Sequence, residues 1–259
     1  MRSEHLLRHW KVLRAGLLMG RQDFITMSIG SRLGKWWPTI GLSIRVTFVG
    51  LVLGLVLGMR SPDYLPWLAT GWAVWGMISS AITGSAGTMN ANKGLMLALP
   101  MPKEVFVVKV IARELWLLVQ NLVVVLGVGL VFGVQVTPAV FLVIPGLLIT
   151  AIFLYGLGLI LAPLVARYKD LGPFIGSIIG VMFFVLPIMW KPDSIQSELA
   201  HLILGLNPLY HYLQIVRLPL LSEVPTVPNY LLACAGAIVL LGVGVLVIRR
   251  TQNKIVYWI

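Results

Sequence analysis

Reactive side chains and charge are what this chain of 259 residues has least of: 11% of its residues are charged, nine are carboxylates and four are histidines. The one cysteine, Cys234, excludes an internal disulfide and says nothing about redox compartment. His5 and His9 lie one helical turn apart with no third ligand, and His201 and His211 stand near Asp193 and Glu198 without metal-ligand spacing, so no metal site is expected. Gly84, Ser85, Ala86 and Gly87 resemble the small-residue setting of an intramembrane serine nucleophile. None of the predicted spans supplies the histidine such an enzyme needs, so close helix packing is the expected role. The run Gly30 to Lys35 imitates a phosphate loop but is one residue short, and Trp36 stands where Ser or Thr is required. No catalytic residue is assigned, and no ATP hydrolysis is expected from this chain alone.

What the chain has is apolar surface. Hydrophobic residues make up 58% of it and the mean hydropathy is +0.93, which predicts an all-α integral membrane protein. Uncharged runs place six spans at about 38 to 59, 65 to 87, 114 to 134, 139 to 164, 171 to 190 and 229 to 248. Gln135, Thr137 and Pro138 mark the turn that divides the longest run into two helices. The net charge of +11 is sorted by side: with the N-terminus inside, 16 of the 20 basic residues fall on cytoplasmic segments. Arg60, Lys191 and Arg217 fall outside and Arg45 within the first span, so both termini are expected in the cytoplasm. This sorting argues against nucleic acid as the partner of the basic residues. No cleavable signal peptide is expected, because the first 35 residues are basic and lack a continuous apolar core.

Three segments between the spans are distinctive. In residues 1–35, Leu6, Trp10, Leu13 and Leu17 recur at helical spacing, predicting an amphipathic helix along the membrane surface. Residues 88–113 form a semi-apolar cytoplasmic loop with Asn92, Lys93, Pro100, Pro102, Lys103 and Glu104, suited to docking on another protein or to packing on its own bundle. Residues 191–228 are apolar yet broken by Pro192, Asn207, Pro208, Pro219, Pro225 and Pro228, which predicts a re-entrant external segment rather than a seventh crossing. Non-helical backbone at membrane depth survives only when buried by protein or lining a cavity, so such a segment implies a passage.

Tyr64, Trp72 and Trp75 share an arc of about 80° on the second helix at 100° per residue and span about 16 Å of it at 1.5 Å per residue. Trp72 and Trp75 lie too deep for an interfacial belt. They either pack against neighbouring helices or offer aromatic faces to amphipathic cargo such as sugar rings. Trp190, at the end of the fifth span, is counted with this path. Arg45, about two turns inside the first span, either snorkels to the interface or faces the passage, where it meets a lipid-linked phosphate.

Taken in order, several patterns make the chain resemble the membrane subunit of ABC-2 type polysaccharide exporters of the O-antigen, capsule and teichoic acid kind. They are Trp37 and Pro38; Tyr64, Leu65 and Pro66; Leu99 to Pro102; Arg167, Tyr168, Lys169, Asp170 and Leu171; Leu206 to Tyr210; and Arg217. The resemblance covers nearly the whole chain as one transmembrane domain, while the approach to the first span, Gly30 to Trp37, departs from the commonest O-antigen and capsule members. It implies a homodimer in the bacterial inner membrane joined to two copies of a separate ATPase. ATP and magnesium are then held by that ATPase, and a channel between the protomers carries a lipid-linked polysaccharide. It further implies ATPase coupling through residues 1–35 and 88–113, a cytoplasmic ion-pair element at Arg167 and Asp170, and an external gate at Asn207, Pro208, Tyr210 and Arg217. Export of small hydrophobic drugs or lipids is the alternative, and a membrane-embedded enzyme of envelope biogenesis or a structural scaffold is disfavoured by the poverty of acid, base and nucleophile groups.

Overall fold

The computed structural model describes every residue except 1, 28, 57–62, 100 and 193–196, and side chains outside these and residues 2–9, 55, 56 and 200. Among the described residues there is no β-strand. The helices are α1 (Arg2–Thr26), α2 (Trp37–Val56), α3 (Tyr64–Ala91), α4 (Lys93–Ala98), α5 (Glu104–Val131) and α6 (Val143–Arg167). They continue with α7 (Leu171–Val185), α8 (Glu198–Leu206), α9 (Pro208–Leu220), α10 (Val227–Thr251) and α11 (Ile255–Trp258), and short 3-10 turns precede α2 and α6.

The all-helical expectation holds. Among the described residues, four helices are long and apolar enough to cross a membrane: Gly34–Gly54, Glu104–Val131, Pro138–Arg167 and Val227–Thr251. They correspond to the first, third, fourth and sixth predicted spans. The second predicted span falls on α3, which is 28 residues long, and the fifth on α7, which is shorter than expected. Its 15 residues reach about 22 Å at 1.5 Å each, against roughly 30 Å of hydrocarbon. The chain leaves the helix at Leu186, whose backbone is extended (φ −77°, ψ 146°), as expected of a residue that precedes proline, here Pro187. Leu186, Pro187 and Ile188 then form a turn buried in the protein.

Helix α3 is the centre of the bundle. Eighteen of its 28 residues are buried, and it touches α2, α5, α6, α7 and α9. The most extensive helix pairing is α6 with α10, where Gly156 meets Gly244: a Cβ on Gly156 would stand 2.5 Å from the Leu241 nitrogen, and one on Gly244 would overlap the Gly156 carbonyl. Without side chains at these points the backbones approach as transmembrane helices do through small residues. Ser85 is buried against Gly158 of α6, with its hydroxyl unpaired. The Gly84 to Gly87 run therefore serves packing, as its sequence suggests.

Helix α1 docks on α5 through Val12, Gly16, Gly20 and Phe24, which recur every four residues and are all buried. A Cβ on Gly20 would stand 2.5 Å from the Lys109 carbonyl oxygen and 2.6 Å from the Ala112 Cβ. The stripe that predicted an amphipathic helix lies elsewhere: Trp10, Leu13 and Leu17 are exposed, free to face lipid, while Leu6, His5 and His9 have side chains outside the described residues.

Candidate functional site

A cavity of about 580 Å³ opens between α2, α3, α5 and α7. Pro38, Leu42 and Arg45 come from α2, and Trp72, Trp75, Ser79, Ser80 and Thr83 from α3. Glu114 and Asn121 come from α5, and Gly176, Gly180 and Phe183 from α7. On α3 these side chains lie within about 140° at 100° per residue, a stripe that is aromatic at one end and hydroxylated at the other. Trp72 is half-buried, its ring tilted 40° to that of Phe183 at a centroid distance of 5.6 Å, whereas Trp75 is 4% exposed and belongs to the core as well as the wall. The Arg45 guanidinium donates from Nε to the Gly41 carbonyl at 3.1 Å and remains exposed.

The α5 wall is polar because two short networks hold it. Gln120 donates from Nε2 to the Lys35 carbonyl at 2.8 Å and to the Thr39 hydroxyl at 2.7 Å, and that hydroxyl donates to Asn121 Oδ1 at 3.0 Å, stitching the start of α2 to α5. Glu114, 3% exposed, accepts from Arg113 Nε at 2.9 Å through Oε1, which the neighbouring Nη2 also approaches. An ionised carboxylate at this depth requires such a partner, since unpaired burial costs several kcal/mol, roughly.

At the end of the bundle formed by the start of α3, a second cluster gathers residues predicted for different roles. The Tyr64 hydroxyl donates to the Met189 carbonyl at 2.9 Å, and Trp67 Nε1 donates to the Trp190 carbonyl at 3.1 Å. Trp190 itself donates to the Phe184 carbonyl at 3.3 Å. Arg217 of α9 is wholly buried; it donates from Nη1 to the Pro187 carbonyl at 2.6 Å and from Nη2 to Gln214 Oε1 at 3.1 Å. Its guanidinium carbon lies 3.6 Å from the centroid of the Trp67 ring. Burial pushes its pKa down to about 9, opposed by Tyr210 and Glu223, so it stays cationic at neutral pH. Of the five residues predicted for the path, Arg45, Trp72 and Trp75 share the cavity, while Tyr64 and Trp190 hold the 186–190 turn.

The gate residues meet on α9. Asn207 caps it, its Oδ1 accepting from the Leu209 amide at 3.0 Å, and Pro208 occupies the first turn, where its missing N–H is not needed. Tyr210 is half-buried and stands edge-on to His211, whose ring nitrogens face Asn229 Oδ1 at 2.8 Å and the Gly205 carbonyl at 2.9 Å. Arg217, counted in the sequence among the outside charges and the gate residues, is wholly buried, because α9 packs between α3, α6 and α10.

Of the coupling residues, Asn92 ends α3 and accepts from Lys109 Nζ at 2.8 Å, and Lys109 also pairs with Asp23 of α1 at 3.0 Å. Lys93 is exposed at the start of α4, Pro102 and Lys103 lead into α5, and Glu104 is its first residue. Pro100 lies outside the described residues. Among the described residues no ion pair joins Arg167 to Asp170; the pairs Lys109–Asp23, between α5 and α1, and Arg113–Glu114, on α5, lie elsewhere. Arg167 instead lies over the rings of Tyr168, at 5.1 Å, and Trp258, at 5.4 Å. Three residues apart, the two charges are close enough in sequence, but Tyr168 breaks the helix between them with an extended backbone.

Sequence reasoning missed Glu114, Asn121, Trp67 and the Ser79, Ser80 and Thr83 stripe. The stripe was detectable, because it continues the helical period of Trp72 and Trp75. Glu114 was not, since Arg113 beside it reads as an ordinary surface pair.

A helical bundle with apolar outer faces around an amphipathic cavity defines the class, a multi-pass membrane protein built to admit something into its interior. More specifically, the chain belongs to the ABC-2 type transporter family, which it matches over residues 16–221. It is a transport protein by that membership. It is 26% identical over 181 residues to the O-antigen export system permease protein RfbA of Myxococcus xanthus, covering 70% of each chain. A protein of the same name from Klebsiella pneumoniae is 26% identical over 182 residues, covering 69% of each.

Proposed function

We propose that this chain is the membrane subunit of an ATP-driven exporter of lipid-linked polysaccharide, an O-antigen-like glycan, across the bacterial cytoplasmic membrane. The observation that carries the reading is the composition of the cavity wall. Trp72 and Phe183 offer aromatic faces, and Ser79, Ser80, Thr83, Asn121 and Glu114 offer hydrogen-bonding groups. A sugar chain presents both apolar ring faces and hydroxyls, and this wall meets both without fixing register. The relatives' role in O-antigen export supports the same cargo.

In this reading the chain crosses the membrane six times with both termini in the cytoplasm, α3 and α7 supplying the second and fifth crossings. Two protomers enclose the passage. Helix α7 favours this, because only Ile179 of its 15 residues is buried, while Phe174, Ile178, Val181 and Phe184 form an exposed apolar face on the side away from the Gly176, Ile179, Gly180 and Phe183 wall. A separate ATPase, two copies per complex, holds ATP and magnesium and docks on α4 and the adjoining ends of α3 and α5. Leu97 and Leu99 there are exposed apolar residues in need of cover. Helices α8 and α9 stand at the external exit.

Co-expression with the partner ATPase, followed by purification and measurement of mass and glycan export, tests this reading. The expected result is a two-plus-two complex that moves glycan in an ATP-dependent way. A complex that exports drugs or lipids but no glycan would replace the cargo, and robust ATP turnover by this chain alone would overturn the assignment.

A further inference from the structure

A second cavity, of about 360 Å³, lies between α1, α3 and α5 and is lined by Asp23, Gly87, Thr88, Asn92, Lys109 and Arg113, among others. Thr83 lines both this cavity and the larger one. What stands between them is the Arg113–Glu114 pair, with Arg113 on the wall of the smaller cavity and Glu114 on the wall of the larger. Arg113 reaches across from α5 to α3, where the missing side chain of Gly84 makes room: a Cβ there would stand 3.4 Å from Arg113 Nη2.

We propose that the Arg113–Glu114 pair is a closed inner threshold, separating a vestibule at the α1 end of the bundle from the transmembrane cavity, and that opening it joins the two into one conduit. The pair is suited to this. A net-neutral, hydrogen-bonded pair leaves no uncompensated charge when closed, and Glu114, 4% exposed at its side chain, would be costly there without Arg113. The device also has a handle. Gly20 sets α1 directly on the turn of α5 that carries the pair, its absent Cβ being 3.0 Å from the Arg113 amide nitrogen. Asp23, one turn further along α1, holds Lys109 at 3.0 Å, and Lys109 holds Asn92 at the end of α3. Displacing α1 therefore displaces the backbone that aims Arg113.

The sidedness of this threshold rests on the export reading, with the vestibule facing the cytoplasm, but its existence does not depend on the cargo. The test uses the full complex with its ATPase in sealed vesicles exposing the face that bears the termini, with Cys234 replaced by alanine. Ser80→Cys, which lines only the larger cavity, and Thr83→Cys, which lines both, are labelled with a membrane-impermeant sulfonatoethyl methanethiosulfonate. In the otherwise unchanged complex Thr83→Cys should react faster than Ser80→Cys, and equal rates would overturn the proposal. Glu114→Gln, which removes the charge but keeps the shape, should speed labelling of Ser80→Cys by about tenfold, the lower end of what a hydrogen bond to a charged group contributes. Arg113→Lys, which loses the planar fork, should do likewise and serves where Glu114→Gln does not assemble. Ala81→Cys, on the buried side of α3, is the control. If it becomes reactive alongside Ser80→Cys, the pair merely supports the fold and the threshold is refuted. Glycan export, assayed in parallel, reports on cargo: faster labelling in a complex that moves no glycan keeps the threshold and discards the glycan reading.

Discussion

Arg217 places its guanidinium 3.6 Å from the centre of the Trp67 ring while donating to the Pro187 carbonyl, so that one residue of α9 joins the start of α3 to the turn after α7. It is the largest of the fully buried side chains, and its Nε has no hydrogen-bond partner. A buried cation held this way stabilises only as a set, because removing either the ring or the carbonyl leaves charge in a low-dielectric site.

Arg217→Lys should therefore not be conservative. The ammonium cannot bridge Pro187 and Gln214 while stacking flat on the face of the Trp67 ring. A loss of about 1–3 kcal/mol is expected, on the scale of hydrogen bonds to charged groups, read as an earlier thermal transition of the purified protein in lipid nanodiscs. Trp67→Phe should cost less than Trp67→Ala, since it keeps a ring face and loses the bond to the Trp190 carbonyl. An unchanged transition for Arg217→Lys would mean that the cluster does not anchor the turn.

Trp72 and Trp75 should separate in function. Trp72 is half-buried on the cavity wall, and Trp75 is 4% exposed and packed in the core. Trp72→Ala is expected to reduce export while leaving co-purification with the ATPase intact. Trp75→Ala should lower both, with about 3–5 kcal/mol of packing lost. Equal loss of export and assembly for Trp72→Ala would assign that residue to packing alone.

The contact between α1 and α5 should depend on Gly20 more than on the Asp23–Lys109 ion pair. Asp23 is 36% exposed at its side chain, and Lys109, 13% exposed, keeps Asn92 as a second partner, so losing the solvent-facing carboxylate costs about 0–1 kcal/mol. A valine at position 20 drives a side chain into the Lys109 carbonyl and the Ala112 Cβ, at about 1–3 kcal/mol of overpacking. Disulfide trapping between cysteines placed at Val12 and Val108, with Cys234 replaced, should fall sharply in Gly20→Val and little in Asp23→Asn. The reverse order would show that charge, not fit, docks the helix.

Polar stitching inside the bundle gives a fourth expectation. Gln120→Leu removes the donor that binds both the Lys35 carbonyl and the Thr39 hydroxyl. It leaves the buried Thr39 hydroxyl and the part-buried Lys35 carbonyl short of a donor, at about 1–3 kcal/mol. Proteolysis near Lys35 in reconstituted vesicles should become faster, while Gln120→Glu, which offers no donor when ionised, should behave similarly.

Several of these relationships were legible in the residues themselves. Helix positions followed from uncharged runs, because a membrane-embedded backbone must satisfy its own hydrogen bonds. Asn207 and Pro208 read in the sequence only as breaks in an apolar run, whereas in the structure they cap and start α9; of the aromatic stripe, Trp72 and Trp75 line the cavity and Tyr64 does not. Arg167 and Asp170 show the opposite case: the resemblance implied a pair, and the extended backbone at Tyr168 separates the two charges.

The sequence alone determined an all-helical membrane protein, the order of its long helices and the proline-broken segment between Lys191 and Pro228. These depend on hydropathy, periodicity and proline, which act within a few residues of each other. Only the tertiary structure decided that Arg217 is wholly buried, that Glu114 faces a cavity, and that α1 docks by its Val12, Gly16, Gly20 and Phe24 face rather than by its leucines. Each of these depends on which helix lies opposite. A side chain's partner across a helix interface is set by the packing of segments far apart in the chain, and the burial that makes a charge consequential exists only once those segments meet.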